Sequence, residues 1–177
     1  MTLYQLRRKQ KMAISFIRID DRIIHGQVVT RWMSERKCDG VVAVDDPSAK
    51  NPVLAKMLKS AVPLPLKGFV MTEEEIIQKW PKIVESKRQY FLIARSPETL
   101  VRIFESGVDF ISQLSELNVG PMSARDGAKK YGKNLSMLSA EESAFDTLQK
   151  YGMTISFQLV PDSKKKTWDE LKAEGGA

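Results

Sequence analysis

Short apolar runs alternate with longer amphipathic stretches from residue 13 to residue 160. The apolar runs predict seven strands, which lie at or within residues 13–19, 41–44, 68–71, 90–94, 108–119, 135–138 and 155–159. The stretches between them carry apolar residues at the spacing of one helix face, as at Val28, Val29 and Trp32. Strands that alternate with helices are typical of right-handed βαβ units. We therefore predict an α/β fold, a three-layer open and mostly parallel sheet of about seven strands with helices on both faces.

The last of these strands has a different pattern from the central ones. Residues 41–44 and 90–94 are solidly apolar, as expected for strands that are covered on both faces. Ile155, Phe157 and Leu159 instead alternate with polar residues, which indicates a strand that is exposed on one face. We therefore predict that the last strand is an antiparallel edge strand.

The length of 177 residues suits one compact domain, and no repeat or linker interrupts residues 13–160. We predict a single domain over residues 13–160, a basic N-terminal extension over residues 1–12 and a helical C-terminal tail over residues 161–177. The extension holds four of the 28 basic residues, which stand against 22 acidic ones, so it supplies most of the formal net charge of +6. We therefore interpret the basic clusters as solvated tails. Binding of nucleic acid is disfavoured, because no aromatic residues that could stack on bases are interleaved with the basic ones.

The single histidine, His25, and the single cysteine, Cys38, restrict the chemistry that the chain can perform. One cysteine forms no internal disulfide, which indicates a reducing compartment. These two residues do not supply the ligands of a Cys/His zinc site, so no metal centre of this kind is expected. No apolar run reaches the roughly 18 residues that a membrane span requires, and no secretory signal opens the chain. We predict a cytoplasmic protein.

The loop after the first strand gathers the most chemically informative residues. It reads RIDDRIIHGQ from Arg18 and includes Arg22 and His25. Neutral imidazole is a nucleophile near pH 7, and guanidinium groups bind phosphate oxygens in a bidentate manner. A helix starts at the turn formed by Gly26, where free amides such as that of Gln27 attract an anion. This combination is compatible with a histidine that accepts a phosphoryl group.

The residues of this region leave several alternatives open. A lone histidine in a polar loop is most often simply exposed to solvent. Asp20 and Asp21 are candidates either to orient the loop or to pair with Arg22 and cap the helix. Asp45 and Asp46, after the second strand, fit either a place in the site or the end of the strand, and we favour the strand end.

Thr72 and Cys38 lie outside this loop and also have two interpretations each. Thr72 has capping-box spacing with Glu75, and we favour a helix cap over a hydroxyl contact with a phosphoryl group. Cys38 follows the first helix rather than a strand end. We therefore interpret it as a small buried apolar residue and not as a phosphocysteine carrier.

The stretch RIDDRIIHGQVVTRW, residues 18–32, resembles the signature of the IIB components of the mannose/fructose/sorbose family of bacterial sugar phosphotransferase systems. The similarity covers about residues 13–160 and continues through VVAVDD at 41–46, AVP at 61–63, LNVG at 117–120 and Gly152. Two features depart from the family pattern: Pro121 stands where the family often has glycine, and the span from 107 to 120 is a few residues longer than usual. Both concern a loop beside the expected crevice, and neither touches the His25 motif.

The resemblance implies that His25 accepts a phosphoryl group on Nδ1 from a phosphohistidine of a IIA domain. It implies transfer of this group to a sugar that enters through the membrane components IIC and IID, with no cofactor, metal ion or nucleotide. The candidate phosphoryl-binding residues are Arg18, Arg22, Gly26 and Gln27, and the candidate supporting residues are Asp20, Asp21 and Thr72. The protein is then expected at the inner face of the membrane, bound through the transporter. Whether two copies form a homodimer stays open.

Two other classes of function compete with phosphoryl transfer. A regulatory or scaffold module with the same fold would catalyse no transport step, but the joint presence of Arg18, Arg22, His25 and Gly26 argues against it. A nucleotide- or nucleic-acid-binding protein is expected to carry a glycine-rich phosphate loop or a recognition motif, and the sequence shows neither. The identity of the sugar does not follow from the sequence.

Overall fold

A computed structural model describes residues 12–175, so residues 1–11 of the expected basic extension lie outside the described residues. The strands are β1 (Ile14–Ile19), β2 (Gly40–Val44), β3 (Lys67–Met71), β4 (Tyr90–Ala94), β5 (Glu116–Val119), β6 (Lys129–Gly132), β7 (Leu135–Met137), β8 (Thr154–Phe157) and β9 (Lys166–Thr167). Seven of them form one sheet in the order β3-β2-β4-β1-β5-β8-β9. Its strand pairs are parallel except β8 with β9. This confirms the mostly parallel seven-stranded sheet, in which the last strand along the chain, β9, is an antiparallel edge strand.

Helices cover both faces of the sheet, as predicted. They are α1 (Gly26–Met33), α2 (Asp46–Lys50), α3 (Pro52–Ser60), α4 (Glu73–Val84), α5 (Pro97–Glu105), α6 (Ser139–Lys150) and α7 (Trp168–Glu174). On one face, α1 and α3 bury their apolar stripes against β1, β2 and β4, around Phe16 and Phe91. On the other face, α4 to α7 build a larger core around Ile17, Leu92 and Phe145. Burial of these two apolar layers is the main stabilising term of the fold.

Two strands differ from their predicted places. The run at 135–138 does not join the large sheet, because β7 pairs antiparallel with β6 in a separate hairpin. The strand at 155–159 is not the edge, because β9 pairs with its outer side. The alternation in β8 has another cause: Ile155 and Phe157 enter the core, while Ser156 faces the side of the sheet where burial is partial. Alternating polarity therefore reports which face is covered, whereas edge position depends on a later segment of the chain.

The segment after Pro161 contains the edge strand β9 and the helix α7. Trp168 and Leu171 are buried in the larger core, and the indole Nε1 of Trp168 donates a hydrogen bond to Asp146 at 2.8 Å. The hydroxyl of Thr167 caps α7 by accepting a bond from the amide of Glu170. Among the helices within residues 12–175, none combines the length and apolar character that a bilayer crossing demands.

Candidate functional site

The loop of residues 20–25 joins β1 to α1 at the carboxyl edge of the sheet. β1 lies between β4 and β5, so the residues that follow these two strands flank the loop. The helix after β1 packs on one face of the sheet, whereas the helix after β4 packs on the opposite face. Connections that diverge in this way leave a crevice at the carboxyl ends of parallel strands, where α/β proteins bind ligands. The predicted site residues of this loop therefore stand at the expected place in the fold.

His25 occupies the N-cap position of α1, with an extended backbone at φ −127° and ψ 114°. Its carbonyl oxygen accepts the amides of Val28 and Val29 at 3.0 and 3.1 Å, which starts the helix. Its side chain makes no capping hydrogen bond. The ring nitrogen Nδ1 is covered by protein atoms and has no hydrogen-bond partner among the described residues. The imidazole is therefore not fixed in place by a bond to Nδ1.

Gly26 and Gln27 form the first turn of α1, whose amides precede the regular hydrogen bonds of the helix. A Cβ atom built on Gly26 would lie 2.7 Å from the carbonyl oxygen of Ala61, which is shorter than any normal contact. Glycine at this position thus allows α1 to begin directly against the segment that follows α3. The side chain of Gln27 is exposed. The amide-rich start of α1 stands next to the imidazole, as the sequence predicts.

Arg18 lies under the loop and not in solvent, because only 1% of its side chain is exposed. Nε and Nη2 donate to one carboxylate oxygen of Asp20 at 3.1 and 2.9 Å, and Nη1 donates to the side-chain oxygen of Asn118. The backbone carbonyls of Gln158 and Leu159 accept two further bonds, each at 3.2 Å. These bonds use the five N–H donors of a guanidinium group. In this conformation Arg18 therefore has no donor left for direct contact with a phosphoryl group.

Asp20 connects this buried arginine to the exposed one. Its carboxylate is buried, and the oxygen that Arg18 does not use accepts the amide of Arg22 at 3.1 Å. The same oxygen lies 3.6 Å from Nε of Arg22, whose side chain is 49% exposed. Burial lowers the pKa of Arg18, and the neighbouring Asp20 carboxylate opposes this effect. Arg22 is thus the arginine of the loop whose guanidinium has access to a ligand.

The turn between Arg22 and His25 is strained. Ile23 adopts φ 63°, in the left-handed region that a β-branched residue rarely enters. Such a conformation costs about 1–3 kcal/mol and persists only where the surroundings enforce it. Ile23 and Ile24 are both buried in the smaller core beside Phe16. Their burial pulls the loop onto the sheet face and offsets the backbone strain that precedes His25.

Asp21 is held from both neighbouring strands. After β5, the amide and the hydroxyl of Ser123 both donate to the carboxylate of Asp21, the amide at 2.9 Å. The backbone amide of Asp21 donates to the carbonyl oxygen of Pro121 at 3.3 Å. After β4, Nη1 of Arg95 donates to the carbonyl oxygen of Asp21 at 2.7 Å. The sequence analysis missed Ser123 and Arg95. Arg95 carried a usable signal, since it directly follows a buried strand at the same edge of the sheet.

Asp45 has both of the roles that the sequence left open. It is the N-cap of α2, where it accepts the amide of Ser48 at 3.0 Å. It also pairs with Arg95, with 3.0 Å between Oδ1 and Nε. Burial alone raises the pKa of the Asp45 carboxyl, but hydrogen bonds from Arg95 and Ser48 outweigh burial and hold the pKa below its usual range. Asp46 instead accepts the amide of Glu73 at 2.8 Å and pairs with Lys50.

Thr72 and Cys38 lie apart from the loop. The capping box of Thr72 and Glu75 is confirmed, with bonds of 3.1 and 2.9 Å between them. Thr72 follows the edge strand β3, which β2 and β4 separate from β1, so the topology does not bring it beside His25. Cys38 is buried, and burial raises the pKa of its thiol to about 11. The interpretation of Cys38 as a buried apolar residue is confirmed.

The geometry unites an imidazole, the exposed guanidinium of Arg22 and the first amides of a helix in one short turn. Such a turn suits the acceptance of a tetrahedral anion on the imidazole, because positive charge and amides stabilise the oxygens of the group being transferred. Within residues 12–175, no three Asp, Glu, His or Cys side chains gather closely enough to hold a metal ion.

Comparisons with known proteins identify a family whose sequence pattern the chain matches. The sequence pattern of the family described as PTS system sorbose subfamily IIB component matches residues 14–176. A sorbose-specific EIIB component of Lacticaseibacillus casei is 27% identical over 149 residues, covering 84% of this chain and 88% of that protein. A fructose-specific EIIB component of Bacillus subtilis is 26% identical over 164 residues, covering 90% of this chain and 96% of that protein.

A longer relative and a solved structure extend the comparison. A mannose-specific EIIAB component of Escherichia coli is 29% identical over 159 residues, covering 89% of this chain and 48% of that protein. The crystal structure of the IIBSor domain of the sorbose permease from Klebsiella pneumoniae has a TM-score of 0.82 and 26% identity, with 92% of this chain and 98% of that chain covered. The similarity thus spans the sheet, both helical layers and the loop that holds His25.

Proposed function

We propose, from the premise that this chain belongs to the sorbose subfamily of IIB components of the phosphotransferase system, that it carries a phosphoryl group on His25. The donor is the phosphohistidine of a IIA domain, and the acceptor is a sugar bound by the membrane components IIC and IID. The observation that supports this most directly is the place of His25, at the N-cap of α1 and three residues after the exposed Arg22. The Escherichia coli relative is named an EIIAB component, which supports a IIA partner.

The phosphoryl group passes from a nitrogen of the donor to a nitrogen of His25, and then from His25 to an oxygen of the sugar. In the first step the N–P bond of the donor breaks while an N–P bond forms on His25. In the second step the sugar hydroxyl attacks phosphorus and the His25 N–P bond breaks. The hydroxyl loses its proton and the released imidazole nitrogen gains one, so the net proton transfer is from the hydroxyl to His25. The charge of the transferring group spreads over its three outer oxygens. Arg22 and the first amides of α1, at Gly26 and Gln27, stabilise that charge.

Nδ1 of His25 is the proposed phosphorylated atom. This nitrogen is covered in the structure and has no bond partner among the described residues. A rotation of the side chain about its Cα–Cβ and Cβ–Cγ bonds therefore has to precede phosphorylation at Nδ1. The absence of a bond to Nδ1 keeps the cost of this rotation low, since no buried hydrogen bond breaks.

Arg18 and Asp20 act on the site from beneath it in this proposal. Arg18 holds Asp20, and Asp20 holds the amide of Arg22 at 3.1 Å. Asp21 orients the loop through its bonds to Ser123 and Arg95, and Thr72 acts as a helix cap. No cofactor enters the reaction. The proposed place of the protein is the cytoplasmic side of the membrane, in contact with the transporter.

The test is transfer of 32P from a phosphorylated cognate IIA domain to the purified chain. We expect a phosphoprotein that is labile in acid and stable in base, as a phosphoramidate is. Correlation of phosphorus with the ring protons of His25 by NMR then distinguishes Nδ1 from Nε2. An unlabelled chain, or a label that survives acid, contradicts the proposal.

The replacement of Arg22 by glutamine is expected to slow this transfer by about 10- to 100-fold. Charged hydrogen bonds contribute about 1.5–3 kcal/mol, and each 1.36 kcal/mol in a barrier is tenfold in rate. The folded state should change little, because the Arg22 side chain is half exposed. Rapid-quench measurement of 32P transfer checks the rate.

The matched control for Arg22→Gln is Arg31→Gln. Arg31 is similarly exposed and pairs with Asp162, away from the loop. The Arg31→Gln variant should accept the phosphoryl group from the IIA domain at the rate of the unchanged chain. Equal rates in the two variants would show that Arg22 does not contact the transferring group.

A further inference from the structure

We propose that Arg95 is a positioning residue for phosphoryl transfer, which it serves by fixing the backbone of the His25 loop at Asp21. This inference rests on the proposed function of His25. Arg95 directly follows β4, the strand next to β1, and reaches across to the loop after β1. Its Nη1 donates to the carbonyl oxygen of Asp21 at 2.7 Å. The one sequence signal for Arg95 is its place directly after a buried strand, at the same edge of the sheet as the loop.

The other nitrogens of Arg95 are anchored on a rigid base. Nε and Nη2 donate to the two carboxylate oxygens of Asp45 at 3.0 and 3.3 Å, and Nη2 lies 3.4 Å from the hydroxyl of Ser48. Asp45 is itself buried and fixed by the amide of Ser48 at the start of α2. The bidentate pair with a buried carboxylate sets the plane of the guanidinium. Nη1 therefore presents its N–H to the loop from a fixed position.

The loop needs such a restraint because Ile23 lies in a strained conformation two residues before His25. Asp21 is the point where the loop is tied to both sides: Ser123 binds its carboxylate, and Arg95 binds its carbonyl. Without Arg95, Asp21 keeps only its bonds to Ser123 and Pro121 on the side of β5, while the amide of Asp20 remains bound to the last carbonyl of β4 at 3.0 Å. The strained turn is then free to relax, and relaxation moves the imidazole and Arg22 relative to each other. A misplacement of about 1 Å at a reacting group lowers a rate by about 100-fold.

Arg102 provides a matched comparison within the same region. It lies in α5, soon after Arg95, and it also forms a bidentate ion pair, with Glu73. Its side chain is 55% exposed, close to the 46% of Arg95. Arg102 donates hydrogen bonds to Glu73 and Thr99, not to the loop. The two arginines thus differ in their contact with the His25 loop more than in exposure or in pairing.

The experiment measures phosphoryl transfer from a 32P-labelled IIA domain to Arg95→Gln, Arg95→Lys and Arg102→Gln at varied donor concentration. Arg95→Gln is expected to lower the rate at saturating donor by about tenfold or more, with an unchanged KM. Arg95→Lys should recover part of the rate, because an ammonium group reaches the loop or Asp45 but lacks the fork that holds both. Arg102→Gln should leave the rate and KM unchanged.

A second measurement needs no phosphoryl donor. Hydrogen exchange of the amides of residues 21–24 should accelerate in Arg95→Gln and stay unchanged in Arg102→Gln. The double variant Arg95→Gln/Asp45→Asn should transfer as fast as Arg95→Gln alone. Residue 45 acts on the loop only through Arg95, and asparagine at this position still caps α2.

The outcomes separate this inference from the function on which it rests. If the unchanged chain is not labelled at His25, the proposed function fails, and exchange at 21–24 still decides whether Arg95 ties the loop. If the chain is labelled but Arg95→Gln keeps its saturated rate, the inference alone fails. If Arg95→Gln changes only the KM for the donor, Arg95 acts in docking of the IIA domain, and its assignment as a positioning residue is wrong. Unchanged exchange at residues 21–24 also overturns the inference.

Discussion

Replacing His25 by alanine is expected to abolish phosphorylation of the chain and to leave its fold intact. In the proposed function the imidazole is the nucleophile, and loss of a nucleophile lowers transfer by about 10³-fold or more. The fold should persist because the His25 side chain makes no capping bond, and the backbone carbonyl that starts α1 remains. Transfer of 32P from a phosphorylated IIA domain measures the loss, and circular dichroism with thermal unfolding verifies the fold.

The control for His25→Ala is Cys38→Ala. Cys38 is the other side chain with a precedent as a phosphoryl carrier in unrelated IIB families, but it is buried and its pKa is raised to about 11, so little thiolate exists near neutral pH. Cys38→Ala should therefore be labelled like the unchanged chain. A label that persists in His25→Ala and disappears in Cys38→Ala would move the carrier to the thiol.

Sugar uptake in cells that carry His25→Ala separates a carrier from a scaffold. A phosphoryl carrier without its nucleophile stops uptake of the transported sugar, whereas a regulatory or scaffold module retains it. Uptake at the level of the unchanged chain would therefore favour the alternative function with the same fold. A folded, unlabelled protein that no longer supports uptake supports the carrier.

The sequence was a good guide to the fold wherever local pattern decides the structure. The solid apolar runs of β2 and β4, the capping box of Thr72 and Glu75, and the place of His25 after β1 are all as predicted. These features depend on a few neighbouring residues. The partner of a strand depends instead on segments far away in the sequence. For this reason the apolar pattern wrongly places residues 135–138 in the large sheet and residues 155–159 at its edge. In the structure β7 pairs with β6, and β9 lies outside β8.

The same difference applies to the candidate site. Arg22, Gly26 and Gln27 are neighbours of His25 in the chain, so a loop motif is enough to place them near it. Burial of Arg18 could not be predicted in this way, since its guanidinium is enclosed by partners about 100 to 141 residues away in the chain. A sequence motif identifies which residues are near the histidine, but it does not show which of the two arginines is buried and which is exposed.

Replacing Gly120 by alanine is expected to destabilise the folded chain by about 3 kcal/mol or more. A Cβ atom built on Gly120 would lie 2.6 Å from Cζ of Arg18 and still closer to Nη2. Arg18 is buried, and its guanidinium is bonded to Asp20 and Asn118, so any shift of the guanidinium breaks buried hydrogen bonds. The methyl group therefore displaces the guanidinium from its partners, and disruption of a buried ion pair costs about 3–5 kcal/mol. Urea denaturation, read as a shift of the midpoint at constant slope, measures the change.

Gly132→Ala is the matched control for Gly120→Ala, because it adds the same methyl group where space exists. The nearest atom to a Cβ on Gly132 is Cβ of Leu135 at 3.8 Å, an ordinary contact. Its free energy of unfolding should stay within about 1 kcal/mol of that of the unchanged chain. Equal stability of the two variants would contradict tight enclosure of Arg18 at Gly120. A loss of stability in Gly120→Ala alone, together with slower 32P labelling of its folded fraction, would instead link Arg18 to the loop. The link is Asp20, which binds both Arg18 and the amide of Arg22.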